Sequence, residues 1–218
     1  MNGKITLPLF LIAFALAAQA ETFVYSNVTT DLGTSLTYSA NSLIEAGDQI
    51  ILGGADRNLV RAQFDIYADS PVDLLSSATL RIYNVTGSVL GSLIGSYSLA
   101  PATYLAGQVA TLVFNLPGVL VPNEIVWTLA FSSGDLGLNY FEPPTIGSSS
   151  DLTAWWDTGS GLAEQTFVAG GENYNALFAA DSETPEPATW ALVGGSLLLL
   201  VARRLWQLKR NVAVSEGM

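Results

Sequence analysis

Leu59-Val60-Arg61-Ala62-Gln63-Phe64-Asp65-Ile66-Tyr67 is the stretch that decides the fold class. Val60, Ala62, Phe64 and Ile66 alternate with Arg61, Gln63, Asp65 and Tyr67. Successive side chains of an extended chain point to opposite faces, so this period of two gives one apolar face and one polar face. On a helix the same four apolar residues would not share a stripe. The segment is therefore expected to be a half-buried β-strand.

The same period recurs outward from it. Ala78, Leu80 and Ile82 alternate with Thr79, Arg81 and Tyr83. Ala110, Leu112 and Phe114 oppose Val109, Thr111 and Val113, and Ile125, Trp127, Leu129 and Phe131 oppose Val126, Thr128 and Ala130. These last two segments are apolar on both faces or nearly so, which predicts central strands. Weaker strand patterns lie at 22–26, 49–53, 138–141, 165–168 and 175–178. Between them stand turn formers: Gly53-Gly54, Ser70-Pro71, Pro117-Gly118, Ser133-Gly134-Asp135, Pro143-Pro144, Gly159-Ser160-Gly161 and Gly170-Gly171. No long stripe of helical period interrupts them; at most, 72–77 makes a short helical turn. Many short strands with frequent turns predict a mainly β domain, an antiparallel sandwich of jelly-roll type.

Both ends of the chain differ from this middle. Lys4 precedes an almost wholly apolar stretch from Ile5 to Ala18, and Ala18-Gln19-Ala20 places small residues where a signal peptidase reads them. The expectation is a signal peptide over 1–20, helical in its apolar part and cleaved after Ala20. Glu183-Thr184-Pro185-Glu186-Pro187 is a polar segment that its prolines hold extended. An apolar run from Ala188 to Ala202 follows, and then Arg203-Arg204, Trp206 and Lys209-Arg210. Basic residues stay on the cytoplasmic side, so 188–210 is expected to be a single transmembrane helix with the β domain outside and 211–218 as a cytoplasmic tail. The domain itself then occupies 21–182, ahead of a linker at 183–187.

Pro185-Glu186-Pro187, one apolar span and the Arg203-Arg204 cluster, in that order, resemble the PEP-CTERM sorting signal of exported proteins in Gram-negative bacteria. The resemblance covers 184–210. It implies recognition by an exosortase, an integral-membrane cysteine-protease-like enzyme, and transfer of the mature protein to the cell surface or an extracellular polysaccharide matrix. It says nothing about the chemistry of the domain in front.

Composition excludes several chemistries. With no Cys and no His, the usual zinc ligand sets and the Ser-His-Asp and Cys-His catalytic groupings cannot be assembled, and no disulfide can brace the fold. Residues 21–182 carry three basic side chains, Arg57, Arg61 and Arg81, against sixteen acidic ones, a net charge of −13. Nucleic acid is not an expected partner of such a surface. The segment has no Lys, and its glycine pairs match no phosphate-binding loop. Asn27-Val28-Thr29 and Asn84-Val85-Thr86 fit the N-glycosylation acceptor pattern, but polar strand residues explain them equally well.

Candidate binding residues gather between Asp135 and Asp157. Tyr140, Trp155, Trp156 and Asp157 combine aromatic faces, which stack on sugar C–H groups, with a carboxylate that accepts hydroxyl hydrogen bonds. Partly buried packing with polar tips at the surface is the competing explanation. Trp155 and Trp156 are adjacent, so a strand sends them to opposite faces and at most one enters the core. No cofactor is expected. A structural calcium ion held by oxygens of turn residues such as Asp48, Asp56, Asp69, Asp73 and Asp135 is compatible with the composition, although the EF-hand rhythm is absent. The sequence thus reads as an exported, non-enzymatic surface or matrix protein whose partners are the membrane, an exosortase-type enzyme and extracellular polysaccharide. The alternatives are a carbohydrate-binding module of the exopolysaccharide matrix and a secreted glycoside hydrolase working through two carboxyl groups.

Overall fold

In a computed structural model of the chain, residues 21–87, 89–149, 153–166 and 173–181 are described, together with 195–197, 200, 203 and 204. Fourteen strands form: β1 Glu21–Ser26, β2 Asp31–Thr37, β3 Glu45–Ile51, β4 Asn58–Ala68, β5 Leu74–Thr86, β6 Val89–Tyr104, β7 Val109–Leu120, β8 Glu124–Phe131, β9 Leu136–Phe141, β10 Ser148–Ser149, β11 Thr153–Asp157, β12 Ala163–Thr166, β13 Asn173–Tyr174 and β14 Leu177–Asp181. Glu21–Ser182 is one compact unit. All the strand pairs are antiparallel, and the strands divide into two seven-stranded sheets.

The first sheet centres on β4. One edge of β4 takes β7 along most of its length; the other takes β14 at Leu59–Gln63 and β9 at Ile66–Ala68. At the handover the Asp65 amide has no strand opposite it. Asn175 fills the gap: its Oδ1 accepts from Asp65 N at 2.7 Å, while its backbone N donates to Asn139 O at 2.9 Å. A side chain thus replaces one rung of the ladder, which keeps a buried donor satisfied. β1 extends this sheet beyond β14, and β2 and β13 pair with β9. The second sheet runs β12-β11-β3-β8-β5-β6, with β10 also on β3.

The alternating residues meet between the sheets. Phe64 of β4 lies 4.7 Å from the Trp127 ring of β8, 5.9 Å from Phe114 and 5.8 Å from Phe178, centroid to centroid. Trp127 continues the cluster to Tyr174 at 6.2 Å. Ala62, Phe64 and Ile66 face Ala78, Leu80, Ile82, Ile125, Trp127 and Leu129 in one buried core. Aromatic rings in edge-to-face contact add to the area they remove from water, so this cluster joins the two layers where it counts most.

Several expectations need correction. β8 is central, between β3 and β5, but among the described residues β7 pairs only with β4 and is an edge strand. Its outward residues Val109 and Val113 are exposed. Residues 74–77 belong to β5 rather than to a helical turn, because Ser76 and Ala78 continue its inward face. Pro117-Gly118 lies inside β7, where the register slips opposite Leu59 and Arg61 and Gly118 adopts φ +82°. A bulge on an edge strand tolerates a proline that cannot donate. β6, the longest strand, gave no period-two signal, since Gly91, Gly95 and Pro101 interrupt it and the β5–β6 register shifts three times.

The signal-peptide residues, including Ala18 and Ala20, and Pro185, Glu186 and Pro187 lie outside the described residues. Within 188–210, residues 195–197, 200, 203 and 204 are helical and exposed. Among the described residues no helix is long and apolar enough to cross a membrane.

Candidate functional site

The far edge of β3 is where the second sheet opens. Glu45–Gly47 pair with β11 and Ile50–Ile51 with β10, so Asp48 and Gln49 sit at the break between the two partners. On the outer face of the sheet at this break lies a groove of about 440 Å³, lined by Gln49, Glu124, Ser148, Ser149, Thr153 and Glu164 among others. Gln49 forms its fixed floor: Nε2 donates to Glu124 Oε1 at 2.7 Å and to Gly87 O at 3.0 Å, and Oε1 accepts from Trp155 Nε1 at 3.3 Å. Two carboxylates and the hydroxyls of Ser148 and Thr153, set around the held Gln49 amide, offer a polyhydroxylated ligand both donors and acceptors, while the Ser149 hydroxyl turns inward and donates to Asn173.

Asp48 points the other way. It shares the inward face of β3 with Ala46 and Ile50, and only 2% of its surface is exposed. Its Oδ1 accepts from Gln49 N at 2.7 Å. Burial drives its carboxyl well above the ordinary carboxylate range; hydrogen bonds from Gln49 N and Ser149 oppose the rise. Burial and then the charge of Asp48 push the Tyr25 phenol up. Tyr174 rises too, through burial first and then Tyr140, with Asp48 contributing. A carboxyl enclosed by phenols and apolar walls favours its neutral form. The sequence placed Asp48 in a turn; it is instead a core residue of β3.

The four aromatic and acidic candidates do not form an exposed sugar platform. Trp155 and Trp156 do point to opposite faces, but Trp155 is buried and Trp156 half-buried. Trp156 packs against the inter-sheet core and donates Nε1 to Tyr174 Oη at 2.7 Å. Trp155, 3% exposed, lies on the outer face of the second sheet in a small apolar cluster with Val85, Val126, Tyr83, Leu90 and Leu162. Tyr140 is buried and stacks on Tyr174 at 5.4 Å with 18° between the planes. Asp157 Oδ1 caps the following turn by accepting from Gly159 N at 2.7 Å and Gly161 N at 3.0 Å. Only Trp155 touches the groove's framework, through Gln49.

Other polar groups serve the fold. Glu45, buried on the outer face of the second sheet, accepts from Arg81, Thr128 and Tyr83. Burial and the Glu45 charge raise the Tyr83 phenol to about 12, against a lowering by Arg81. The Gly53-Gly54-Ala55-Asp56-Arg57 run is a cation cradle filled by its own arginine. Arg57 donates to the carbonyls of Leu52, Gly53, Gly54 and Asp56 and to Asn123 Oδ1. Both amide atoms of Asn27 are used, Nδ2 donating to Tyr174 O at 2.5 Å and Oδ1 accepting from Ala176 N at 2.7 Å, so the Asn27 triplet is a structural pin. Asp69 accepts from Thr37 Oγ1 and Asp73 from the Ala106 amide. Among the described residues no group of three or more acidic side chains is placed to hold a metal ion.

One signal went unread in the sequence. From Ile82 to Asn123, forty-two residues pass without a charged side chain, in a domain of net charge −13. That run comprises the end of β5, all of β6 and all of β7. Searches against protein-family models, characterised proteins and solved structures found no match to this chain.

Proposed function

We propose that the chain is an exported cell-surface or extracellular-matrix protein, sorted and processed at its C-terminal segment, whose β domain has a non-enzymatic structural or interaction role. The observation that carries this reading is the ordered triplet of Pro185-Glu186-Pro187, an apolar span and Arg203-Arg204 behind an acidic domain. An apolar run bounded by negative charge on one side and arginines on the other has a defined preference for lying across a bilayer, basic end inward. A processed, surface-delivered protein is the consequence. The domain's wiring suits the jelly-roll reading: from β6 to β10 every step of the chain changes sheet, as do the steps from β2 to β5.

Cell fractionation tests it. The chain is expected in the envelope or the medium, shortened at both ends, with the C-terminal trimming lost when the exosortase-type enzyme is deleted. Full-length protein confined to the cytosol refutes the reading.

The groove on β3 favours one further reading, a carbohydrate-binding role on polysaccharide of the matrix. Glu124 and Glu164 supply acceptors, and Ser148 and Thr153 supply hydroxyls, around a fixed Gln49. Glu164→Ala should release the protein from purified exopolysaccharide. Unchanged retention removes this role and leaves the localisation untouched.

A further inference from the structure

The outer face of the first sheet holds a polar trough. It lies where four strands run side by side in the order β7-β4-β9-β2. Phe64 and Ile66 of β4 enter the core, so Tyr67 projects outward. Val109 of β7 pairs with it on one side. On the other side its partner is Gly137 of β9, which has no side chain to fill the row. A Cβ at Gly137 would lie 2.7 Å from Leu36 O, so only glycine fits beside β2 there. Further along β9, Asn139 pairs with Ser35 of β2. The β2 register then slips between Ser35 and Asp31. Gly33 turns the chain with φ +70°, and its amide donates to Asp31 Oδ1 at 2.8 Å. That turn makes the far wall of the trough. The space is about 460 Å³, within the roughly 300–1,000 Å³ usual for a small-molecule site.

The lining is polar and largely uncommitted. The side chains of Thr34, Ser35 and Tyr67 make no hydrogen bond to a described residue. Asn139 lines the trough at only 4% exposure, and its Oδ1 has no partner among the described residues. A buried amide oxygen without a donor is costly, and a hydroxyl brought into the trough supplies one. The chemistry of the lining selects the ligand. Asp31 is the one carboxylate among the described lining residues, and no cation lines the trough with it. Asp65 adds negative charge on the same face of β4. A single carboxylate is too few for a divalent cation. A phosphate or a uronate would meet acid with no base to answer it. What fits is an uncharged polyol with one apolar face: the half-buried Tyr67 ring and Val109 receive the C–H face, and the amide and hydroxyls receive its oxygens. We propose that this trough is a saccharide site that takes an uncharged sugar unit of a polysaccharide, stacked on Tyr67 and hydrogen-bonded to Asn139, Ser35 and Asp31. It lies on the outer face of the other sheet from the β3 groove and does not rest on that groove's reading; either fails without the other.

Affinity electrophoresis of the full-length chain in detergent tests it. Native gels hold dextran, mannan, galactan or xylan, with polygalacturonate as the anionic comparison. Every trough variant is made in a Glu164→Ala background, which takes the β3 groove out of the measurement. In that background at least one neutral polysaccharide should slow the chain, and polygalacturonate should not. Tyr67→Ala should then raise the apparent Kd about tenfold or more. Tyr67→Trp keeps a stacking face and should retain the binding. Thr34→Trp, at an exposed position on the wall, should block the trough without touching the core. An unchanged urea midpoint for Tyr67→Ala and Thr34→Trp separates lost binding from lost folding. No slowing by any neutral polysaccharide in the Glu164→Ala background overturns the proposal, and binding seen only before Glu164→Ala is made belongs to the groove. Slowing that survives both Tyr67→Ala and Thr34→Trp also overturns it. Slowing by polygalacturonate that Tyr67→Ala abolishes overturns the choice of an uncharged sugar.

Discussion

Replacing Asp48 by Asn should change the pH dependence of stability more than any surface acid does. Asp48 is enclosed between the sheets, and burial raises its pKa well above the ordinary 3.8. The folded protein therefore binds a proton that the unfolded chain has released. A raised native value means that the full contribution is present below pH 3.8 and is lost as pH climbs towards the native value. In that window one extra proton in the native state makes stability fall by about 1.4 kcal/mol for each pH unit. Asn keeps the size and can still accept from the Gln49 amide, but it has no charge to lose. Urea unfolding followed by tryptophan fluorescence, run in half-unit steps upward from pH 4, gives both curves. The wild-type stability minus that of Asp48→Asn should fall along that slope, and the other acidic residues cancel from the difference. Parallel curves would refute the reasoning, since they would mean that Asp48 is as ionised in the fold as in the unfolded chain.

Three substitutions probe the sandwich. Phe64→Ala removes the ring that touches Phe114, Trp127 and Phe178 and should cost about 3–5 kcal/mol in urea unfolding; Val72→Ala, at an exposed position, should stay within about 0.5 kcal/mol. A Cβ on Gly47 would overlap the Trp127 carbonyl oxygen and crowd Thr128 Cα, so Gly47→Ala should destabilise by about 1–3 kcal/mol or more, measured by the same unfolding midpoint. Arg57→Met keeps the side-chain length but leaves a ring of carbonyls without their donor; about 1–3 kcal/mol should be lost, and hydrogen exchange at 53–57 should quicken.

The strand period at 62–66 and 125–131 was legible because a sheet with one or two buried faces imposes its spacing directly on the sequence, whereas Val60, expected on the same face, is displaced by the register shift between Leu59 and Arg61, and Leu59 enters the core instead. β6 was not, because its bulges, glycines and proline break the alternation that a regular ladder would display. The candidate site was less legible still. Trp155 and Asp157 were recognised as chemistry-bearing types, yet the groove uses Gln49, Glu124, Ser148 and Glu164, which come from four strands and are joined only by pairing. Arg57 looked like part of a turn, and its five acceptors converge only when 52–56 curls around it.

The sequence by itself determined the class of the domain, its acidity, the absence of thiol and imidazole chemistry, and the contrast between a β-patterned middle and apolar ends. These follow from composition and from local periodicity, which need no partner strand to be read. Tertiary structure decided which apolar face would be covered and which carboxylate would face inward. Burial is a property of what packs opposite: Val126 and Val113 are alike in sequence context, yet β8 has a neighbour on each edge and β7 has one. Asp48 and Asp157 are the same residue type, but one lies between two sheets and the other caps a turn in water.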